Sequence, residues 1–186
     1  MANSYCEFCK SPGANPLHVV YHDTEYGFPS ADDSVIFERL ILEINQAGLS
    51  WETILKKREG FRTAYEGFEI AKIAQYGERD TQRLLNDASI IRNRLKVNAA
   101  IENAKTALGL IDEFGSLDGW LKSYHPLSKP EWVKLFKQTF RFTGGEIVGE
   151  FLMSLGYLPG SHDKDCPVYE TLRSLGSPFF LEVKGS

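Results

Sequence analysis

Apolar residues recur at helical spacing along most of the chain after residue 33, and this periodicity restricts the possible folds more than any other feature of the sequence. The first periodic segment follows a capping sequence at positions 32–34, and its apolar members are Ile36, Phe37, Leu40, Ile41 and Ile44. Because an α-helix returns to the same face every 3.6 residues, this spacing predicts an amphipathic helix that ends near Gly48.

Further segments of this kind follow, separated by short Gly, Pro and Ser signals, and no segment alternates as a strand would. They predict helices at 50–57, 70–75, 81–86, 91–109, 117–124, 129–138 and 146–155. Residues 1–33 are rich in Pro, Gly, Asn, Asp and aromatic residues, and they are expected to form an ordered but mostly irregular cap. The sequence therefore predicts an all-α fold, a compact bundle of short helices.

A chain of 186 residues can bury one substantial core but is short for two independent domains. We expect a single domain over residues 1–186, with termini of about 1–33 and 156–186 around the helical core. Its net charge of -4 argues against polyanion binding by the whole surface, though a local basic face remains possible. No apolar run is long enough to cross a bilayer, and the first residues lack the features of a secretory signal, so a cytoplasmic protein is expected.

Glu43 lies close to the line of Ile36, Leu40 and Ala47, at the edge of the face of the first helix that must be buried. An ionised carboxylate there must be paired, protonated or directed at a wet pocket, because burying it alone is costly. The simplest interpretation is an ion pair with a nearby Lys or Arg. Residues 46–51 then form a Gly turn with a Leu and a Trp, which either pack in the core or contact a base stack.

The segment from 42 to 58, which reads LEINQAGLSWETILKKR, closely resembles the signature of the DNA-3-methyladenine glycosylase I family. The likeness extends to 21–27, 87–96 and 142–148, and it is weakest over 110–134. The family belongs to the helix-hairpin-helix DNA glycosylases, which implies a hairpin at 142–146. The resemblance implies an enzyme that extrudes 3-methyladenine from alkylated double-stranded DNA and hydrolyses its glycosidic bond.

The same resemblance implies roles for four residues of a base pocket. Glu43 matches the carboxylate that reads the lesion, and Tyr21 would contact the extruded base through its hydroxyl. Trp51 matches the tryptophan that stacks on the base, and Tyr26 stands where the family often has Trp. Because 3-methyladenine is cationic in DNA, its glycosidic bond is already weakened, and no dedicated catalytic Asp is implied.

DNA contacts are implied at two further places. Gly48 and Leu49 would fill the gap left by the extruded nucleotide, and Gly144 and Gly145 would bring backbone amides to a phosphate at the start of a helix. Basic groups that could meet other phosphates are Lys56, Lys57, Arg92, Arg94 and Lys96. Charge runs of this kind are more often solvated faces.

A metal site is expected from Cys9 and His22 near the start of the chain and from His162 and Cys166 near its end, a spacing that allows a tetrahedral Cys2His2 site. These positions match the structural zinc ligands of the family, one Zn2+ per chain. Cys6 could compete with Cys9. The neighbouring aspartates at 163 and 165 are interpreted as structural or solvated.

Several alternatives remain open at this stage. His18 and Ser11 stand where the family often has aromatic rings, so the enzyme could excise a different alkylated purine. The chain could instead be a non-catalytic helix-hairpin-helix DNA-binding module, or a zinc-stapled interaction domain in which Glu43 is ion-paired. The expected partners are alkylated DNA and the released base, and the expected oligomeric state is a monomer.

Overall fold

The structure is a computed structural model that describes residues 4–181, and the regular elements in that range are all helical. The α-helices are α1 Tyr5–Lys10, α2 Pro16–Thr24, α3 Asp33–Gln46, α4 Trp51–Ala64, α5 Ile70–Ile73, α6 Glu78–Asn86, α7 Arg94–Phe114, α8 Leu117–Tyr124, α9 Lys129–Thr139, α10 Gly145–Ser154 and α11 Pro167–Ser174. Short 3-10 helices lie at Glu66–Phe68 and Pro178–Phe180. The predicted all-α fold class is confirmed.

Helix α3 forms as its periodicity predicts. The Asp32 side chain caps it by accepting hydrogen bonds from the amides of Ser34 and Val35, which satisfies two of the donors that a helix start leaves free. The apolar residues of its predicted stripe, including Phe37, Ile41 and Ile44, are almost completely buried. Each of these side chains stabilises the fold by roughly 1.5–3 kcal/mol through the apolar surface it removes from water.

Contacts between residues divide the chain into two compact units. One unit comprises residues 30–148, from α3 to the start of α10, and its core contains the large buried side chains of Phe61, Phe68, Trp132 and Phe136. Helix α7 is its longest element and packs against α3, α5, α6 and α8. A face of α7 made of small buried residues permits this close packing, namely Ala99, Ala100, Ala104 and Ala107.

The other unit combines the described residues up to 29 with those from 149 onward. The prediction of a mostly irregular cap over residues 1–33 was wrong, because this segment contains α1 and α2. Each helix is fixed by a local cap, in which Ser4 accepts from the Glu7 amide and Asn15 accepts from the Leu17 amide. Cys, His, Pro and charged residues interrupt the apolar residues of these two helices, so the sequence shows no repeated apolar period there. Helix α11 was not predicted either.

The expectation of a single domain over 1–186 stays a prediction. Between residues 4 and 181, no helix is both long enough and apolar enough to cross a membrane.

Candidate functional site

Four metal-ligating side chains meet inside the unit formed by the two ends of the chain. Cys6 comes from α1, His22 from α2, and His162 and Cys166 from the segment that leads into α11. All four residues are buried, and their ligand atoms lie within 4.8 Å of one another. The cluster therefore joins three separate parts of the sequence.

The distances between these ligand atoms suit a tetrahedral ion. His22 Nε2 lies 3.2 Å from Cys6 Sγ and 3.8 Å from Cys166 Sγ, while His162 Nδ1 lies 3.7 Å from both sulfurs. Metal–sulfur and metal–nitrogen bonds of about 2.3 and 2.05 Å place tetrahedral S and N ligands about 3.6 Å apart. Two thiolates and two imidazoles would complete four-coordination without leaving a position for substrate.

Neighbouring groups orient both histidines for this role. His22 Nδ1 is hydrogen-bonded to Asp23 Oδ1 at 2.7 Å, and His162 Nε2 donates to the Tyr26 carbonyl at 2.7 Å. Each bond engages the ring nitrogen that points away from the cluster, so the other nitrogen is available as a ligand. Burial lowers the pKa of His162, which favours the neutral ring that a metal needs.

The Cys6 thiol of the cluster depends on a cation to ionise. Burial raises the pKa of Cys6 to about 12, although a hydrogen bond from the Asp163 amide acts in the opposite direction. That amide lies 3.3 Å from Cys6 Sγ, and the Asp163 carboxylate accepts from the Ser4 hydroxyl. Asp163 is therefore structural, as expected, while Asp165 is exposed.

The structure places Cys6 in the cluster, where the sequence had favoured Cys9, so this part of the predicted ligand set is corrected. Cys9 is buried in the same helix, but its Sγ lies 3.7 Å from the His18 carbonyl. Residues three apart on a helix project in directions about 60° apart. Helix α1 therefore directs the Cys6 thiol at the cluster and the Cys9 thiol at the His18 carbonyl. Spacing in the sequence does not reveal which thiol takes which direction.

Tyr21 and Tyr26 lie in the same unit and are both buried, with ring centroids 5.6 Å apart. The Tyr26 hydroxyl donates to Glu150 Oε2 at 3.0 Å, and its ring packs edge-on against Tyr5. The metal cluster thus holds the backbone of Tyr26 through His162. The predicted contacts of the two tyrosines with a base stay predictions.

Glu43 lies in the unit of residues 30–148, on the buried side of α3 with only 4% of its surface exposed. The position that helical projection gave it is confirmed. Another carboxylate of the same helix, Glu38, is neutralised by Arg58 at 2.6 Å and by Arg62 at 3.1 Å. Ion pairing is therefore the established role of Glu38, and the predicted role of Glu43 in reading a lesion stays a prediction.

The turn between α3 and α4 presents an apolar side chain to solvent. Gly48 has a left-handed φ of +82°, and the following Leu49 is 39% exposed. Ser50 caps α4 by accepting from the Thr53 amide at 3.2 Å, which places the half-buried Trp51 at the first position of that helix. A carboxylate, an exposed Leu and an indole therefore occur within nine residues of one helix-turn-helix segment.

Lys96 supports this turn from the inside, which sequence reasoning missed. Its Nζ donates to the carbonyls of Asn45 at 2.8 Å and Ala47 at 2.7 Å, and burial lowers its pKa. The prediction that Lys96 meets a phosphate is therefore corrected, because its ammonium group holds the last turn of α3. Residue type and local spacing do not distinguish Lys96 from the neighbouring basic residues, so the sequence carried no signal for this role.

The hairpin predicted at 142–146 lies between α9 and α10. Phe142 has a left-handed φ of +62°, and the buried Thr143 hydroxyl donates to the carbonyls of Phe136 and Phe140. A side chain added at Gly144 would meet no atom within 4 Å, so the space beside its backbone is open. Gly145 begins α10, where the amides of the first turn lack intrahelical acceptors.

The predicted phosphate-binding side chains Lys56 and Arg94 are exposed and make only weakly held ion pairs. Lys56 pairs with Glu52 on its own helix, and Arg94 lies 3.5 Å from Glu78. Exposed pairs of this kind contribute little and exchange readily with water or another anion. Lys57 instead donates to the Ala88 carbonyl at 2.8 Å.

The predicted site residues thus fall into two groups. The metal ligands, Tyr21 and Tyr26 lie in the unit of the chain ends, and the remaining ones lie within residues 30–148.

Comparison with known proteins gives consistent matches. The family model described as methyladenine glycosylase matches residues 11–133. DNA-3-methyladenine glycosylase 1 of Escherichia coli (strain K12) is 46% identical over 102 residues, which are 55% of this chain and 54% of that protein. The match therefore spans about half the length of that relative. The DNA-3-methyladenine glycosylase of Haemophilus influenzae is 32% identical over 178 residues, covering 86% of this chain and 96% of that protein.

Solved structures give the same result. The 3-methyladenine DNA glycosylase I of Staphylococcus aureus, in the structure that describes its recognition of 3-methyladenine, matches with a TM-score of 0.79 and 32% identity. That match covers 88% of this chain and 97% of the other. A variant of 3-methyladenine DNA glycosylase I in complex with 3-methyladenine matches with a TM-score of 0.77, covering 82% of this chain and 92% of the other.

Proposed function

The chain belongs to the methyladenine glycosylase family, and on that premise we propose that it is a DNA base-excision repair enzyme that removes 3-methyladenine from alkylated DNA. The observation on which this rests most directly is the segment from Glu43 to Trp51. It combines a buried carboxylate, an exposed Leu at a turn and a half-buried indole, the groups that extrusion and recognition of a damaged base require.

The base must leave the duplex before its glycosidic bond can be reached, at a cost of roughly a few kcal/mol. Leu49 enters the gap in the base stack and Gly48 gives the turn the left-handed conformation that presents it. Stacking on the Trp51 indole returns on the order of 1–3 kcal/mol to the extruded base. The exposure of Leu49 supports this role, since a side chain of the core would be buried.

Glu43 accepts hydrogen bonds from the edge of the extruded base, and as an ionised group it favours a cationic purine. Tyr21 contacts the base through its hydroxyl, and Tyr26 takes the place of a pocket aromatic ring. Water attacks the sugar carbon and loses a proton to solvent, while the C–N bond electrons move onto the cationic 3-methyladenine, which leaves as a neutral base. The enzyme therefore has to hold and orient the base more than activate it.

Backbone amides at Gly144 and Gly145 hold a phosphate of the DNA. The open space beside Gly144 and the unshared amides of the α10 first turn support this placement. Lys56 and Arg94 contribute positive charge to other phosphates of the DNA, since their present ion pairs are weak. We further propose a cytoplasmic monomer.

The metal ligands are Cys6, His22, His162 and Cys166, and the ion that suits two thiolates and two imidazoles is zinc. Zinc there would tie α1 and α2 to the segment before α11 and stabilise the fold. No substrate position is left on a four-coordinate ion, so its contribution is structural.

The proposal is tested by chromatography of bases released from methylated double-stranded DNA under single-turnover conditions. Wild-type protein is expected to release 3-methyladenine, and Glu43→Gln is expected to slow this release at unchanged shape. The matched control is Glu113→Gln, an exposed carboxylate of α7. Release of a different alkylated purine would support the alternative substrate, and DNA binding without release of any base would support a non-catalytic module.

A further inference from the structure

Helix α7 has two buried polar side chains on one face, Lys96 and Asn103, to which the proposed function gives no contact with the base or with DNA. Lys96 and Asn103 are 5% and 0% exposed, and both lie in the unit of residues 30–148. They are seven residues apart, which is two helical turns less about 20°, so their side chains leave α7 in nearly the same direction. Their Cα atoms are about 10.5 Å apart along the helix axis.

Lys96 binds the backbone at the end of α3. Its ammonium group donates to the carbonyls of Asn45 and Ala47, which a helix C-terminus leaves without intrahelical donors. Within residues 4–181, Lys96 makes no ion pair with a carboxylate, so its charge is directed at these carbonyls alone. The next residues along the chain are Gly48 and Leu49.

Asn103 binds the backbone of the hairpin in a corresponding way. Its amide nitrogen donates to the Arg141 carbonyl at 3.1 Å, and its amide oxygen accepts from the Arg141 amide at 2.7 Å. Arg141 directly precedes Phe142, whose left-handed conformation directs the chain toward Gly144. Both backbone groups of the residue that leads into the hairpin are therefore fixed to α7.

We propose that Lys96 and Asn103 are positioning residues that use α7 as a rigid spacer between the base-inserting turn at Gly48–Leu49 and the phosphate-binding hairpin at Gly144–Gly145. The inference rests on the proposed function, because it assigns those two elements to DNA. Anchoring both to one helix fixes where Leu49 enters the base stack relative to the phosphate that the hairpin holds. When the hairpin binds a phosphate, the Leu49 side chain is therefore aligned with the base stack. Neither Lys96 nor Asn103 touches the base.

Lys96→Met removes the donors while keeping the length and much of the volume of the side chain. It is expected to slow 3-methyladenine release at saturating enzyme by on the order of 10- to 100-fold, since small displacements of reacting groups have effects of this size. The affinity for a duplex that contains an abasic analogue is expected to change far less, because the hairpin contacts remain. Lys96→Arg, which still donates to carbonyls, is expected to recover part of the rate.

Each change has a matched control on the same helix. Lys105 is exposed and pairs with Glu102, so Lys105→Met is expected to keep the wild-type rate. Asn98 is exposed, so Asn98→Ala serves as the control for Asn103→Ala. Asn103→Ala is expected to weaken DNA binding as well as release, and it tests the spacer independently if Lys96→Met does not fold.

A double-mutant cycle distinguishes positioning from general destabilisation. If Lys96 acts through the turn, Leu49→Ala and Lys96→Met together are expected to be no slower than the slower single variant. Losses that multiply, or a Lys96→Met rate within about twofold of wild type, would overturn the inference. Wild-type protein that releases no 3-methyladenine would contradict the proposed function instead. In that case, the fluorescence of a 2-aminopurine placed beside the abasic analogue still measures insertion of Leu49. Equal signals from wild type and Lys96→Met would overturn the role of α7 as a spacer.

Discussion

His162 donates a hydrogen bond from Nε2 to the carbonyl of Tyr26 at 2.7 Å, while its Nδ1 faces the two sulfurs of the metal cluster. One imidazole therefore couples a metal ligand set to the backbone of a residue that we place in the base pocket. Gly27 follows Tyr26 and donates from its amide to the Ser154 carbonyl at 2.8 Å. A metal ion held by this cluster would therefore order the chain on which Tyr26 lies.

The two thiols of α1 are expected to behave differently towards metal. Cys6→Ala should abolish the bound zinc, about one ion per chain in wild type, and lower the melting temperature because metal binding is coupled to folding. Cys9→Ala should retain the ion, since Cys9 Sγ faces the His18 carbonyl. Elemental analysis of the purified variants measures both. Retention in Cys6→Ala with loss in Cys9→Ala would restore the ligand set first expected from the sequence.

Leu49→Ala is expected to slow release of 3-methyladenine from duplex DNA by roughly tenfold or more, because the gap in the base stack is no longer filled. Release from single-stranded DNA should change much less, since there is no duplex gap to fill. Stability should be nearly unchanged, because Leu49 is exposed in the free protein. Leu175→Ala, at another exposed leucine, is the control. Equal reductions of the release rate on duplex and single-stranded DNA would contradict the insertion of Leu49 into the base stack.

Glu38→Gln is expected to lower the free energy of unfolding by about 2 kcal/mol, because it removes the carboxylate charge that faces the largely buried Arg58 guanidinium at 2.6 Å. Glu59 also pairs with Arg62, at 2.6 Å, but its side chain is 81% exposed. Glu59→Gln should therefore cost less than about 1 kcal/mol. Urea denaturation of both variants measures the difference, and equal costs would show that burial does not determine the contribution of these pairs.

Gly27→Ala is expected to destabilise the protein more than Gly13→Ala. Both glycines have left-handed φ values, +88° and +95°, so both substitutions have a conformational cost of about 1 kcal/mol. A Cβ at Gly27 would also lie 2.7 Å from a Leu172 side-chain atom and 2.8 Å from the Ser161 hydroxyl oxygen. A Cβ at Gly13 would meet no atom within 4 Å. The expected difference is about 2 kcal/mol, and thermal melts at matched metal content measure it. Equal melting temperatures for Gly27→Ala and Gly13→Ala would show that the side chains around Gly27 move aside at little cost in free energy.

The sequence alone determined those helices whose start, apolar face and end are specified by residues close together in the chain. The bounds of α8 at Leu117–Tyr124 agree with the predicted 117–124, and α3 ends within two residues of its predicted limit. Periodic apolar residues, capping residues and a terminating glycine are all adjacent in the chain, so no distant contact is needed to interpret them. The burial of Glu43 follows from the same projection. Helices α1, α2 and α11 were missed because Cys, His, Pro and charged residues interrupt their apolar residues, so that packing rather than a repeated apolar period specifies them.

Tertiary structure decided which side chain meets which partner. Spacing in the sequence favoured Cys9 over Cys6, whereas the approach of α2 and of the segment before α11 brings Cys6 to the other members of the cluster. In the sequence, Lys96 does not differ in type from its basic neighbours. The packing of α7 against α3 brings its ammonium group to the Asn45 and Ala47 carbonyls. These outcomes depend on distances between residues far apart in the chain, which residue type and local spacing do not specify.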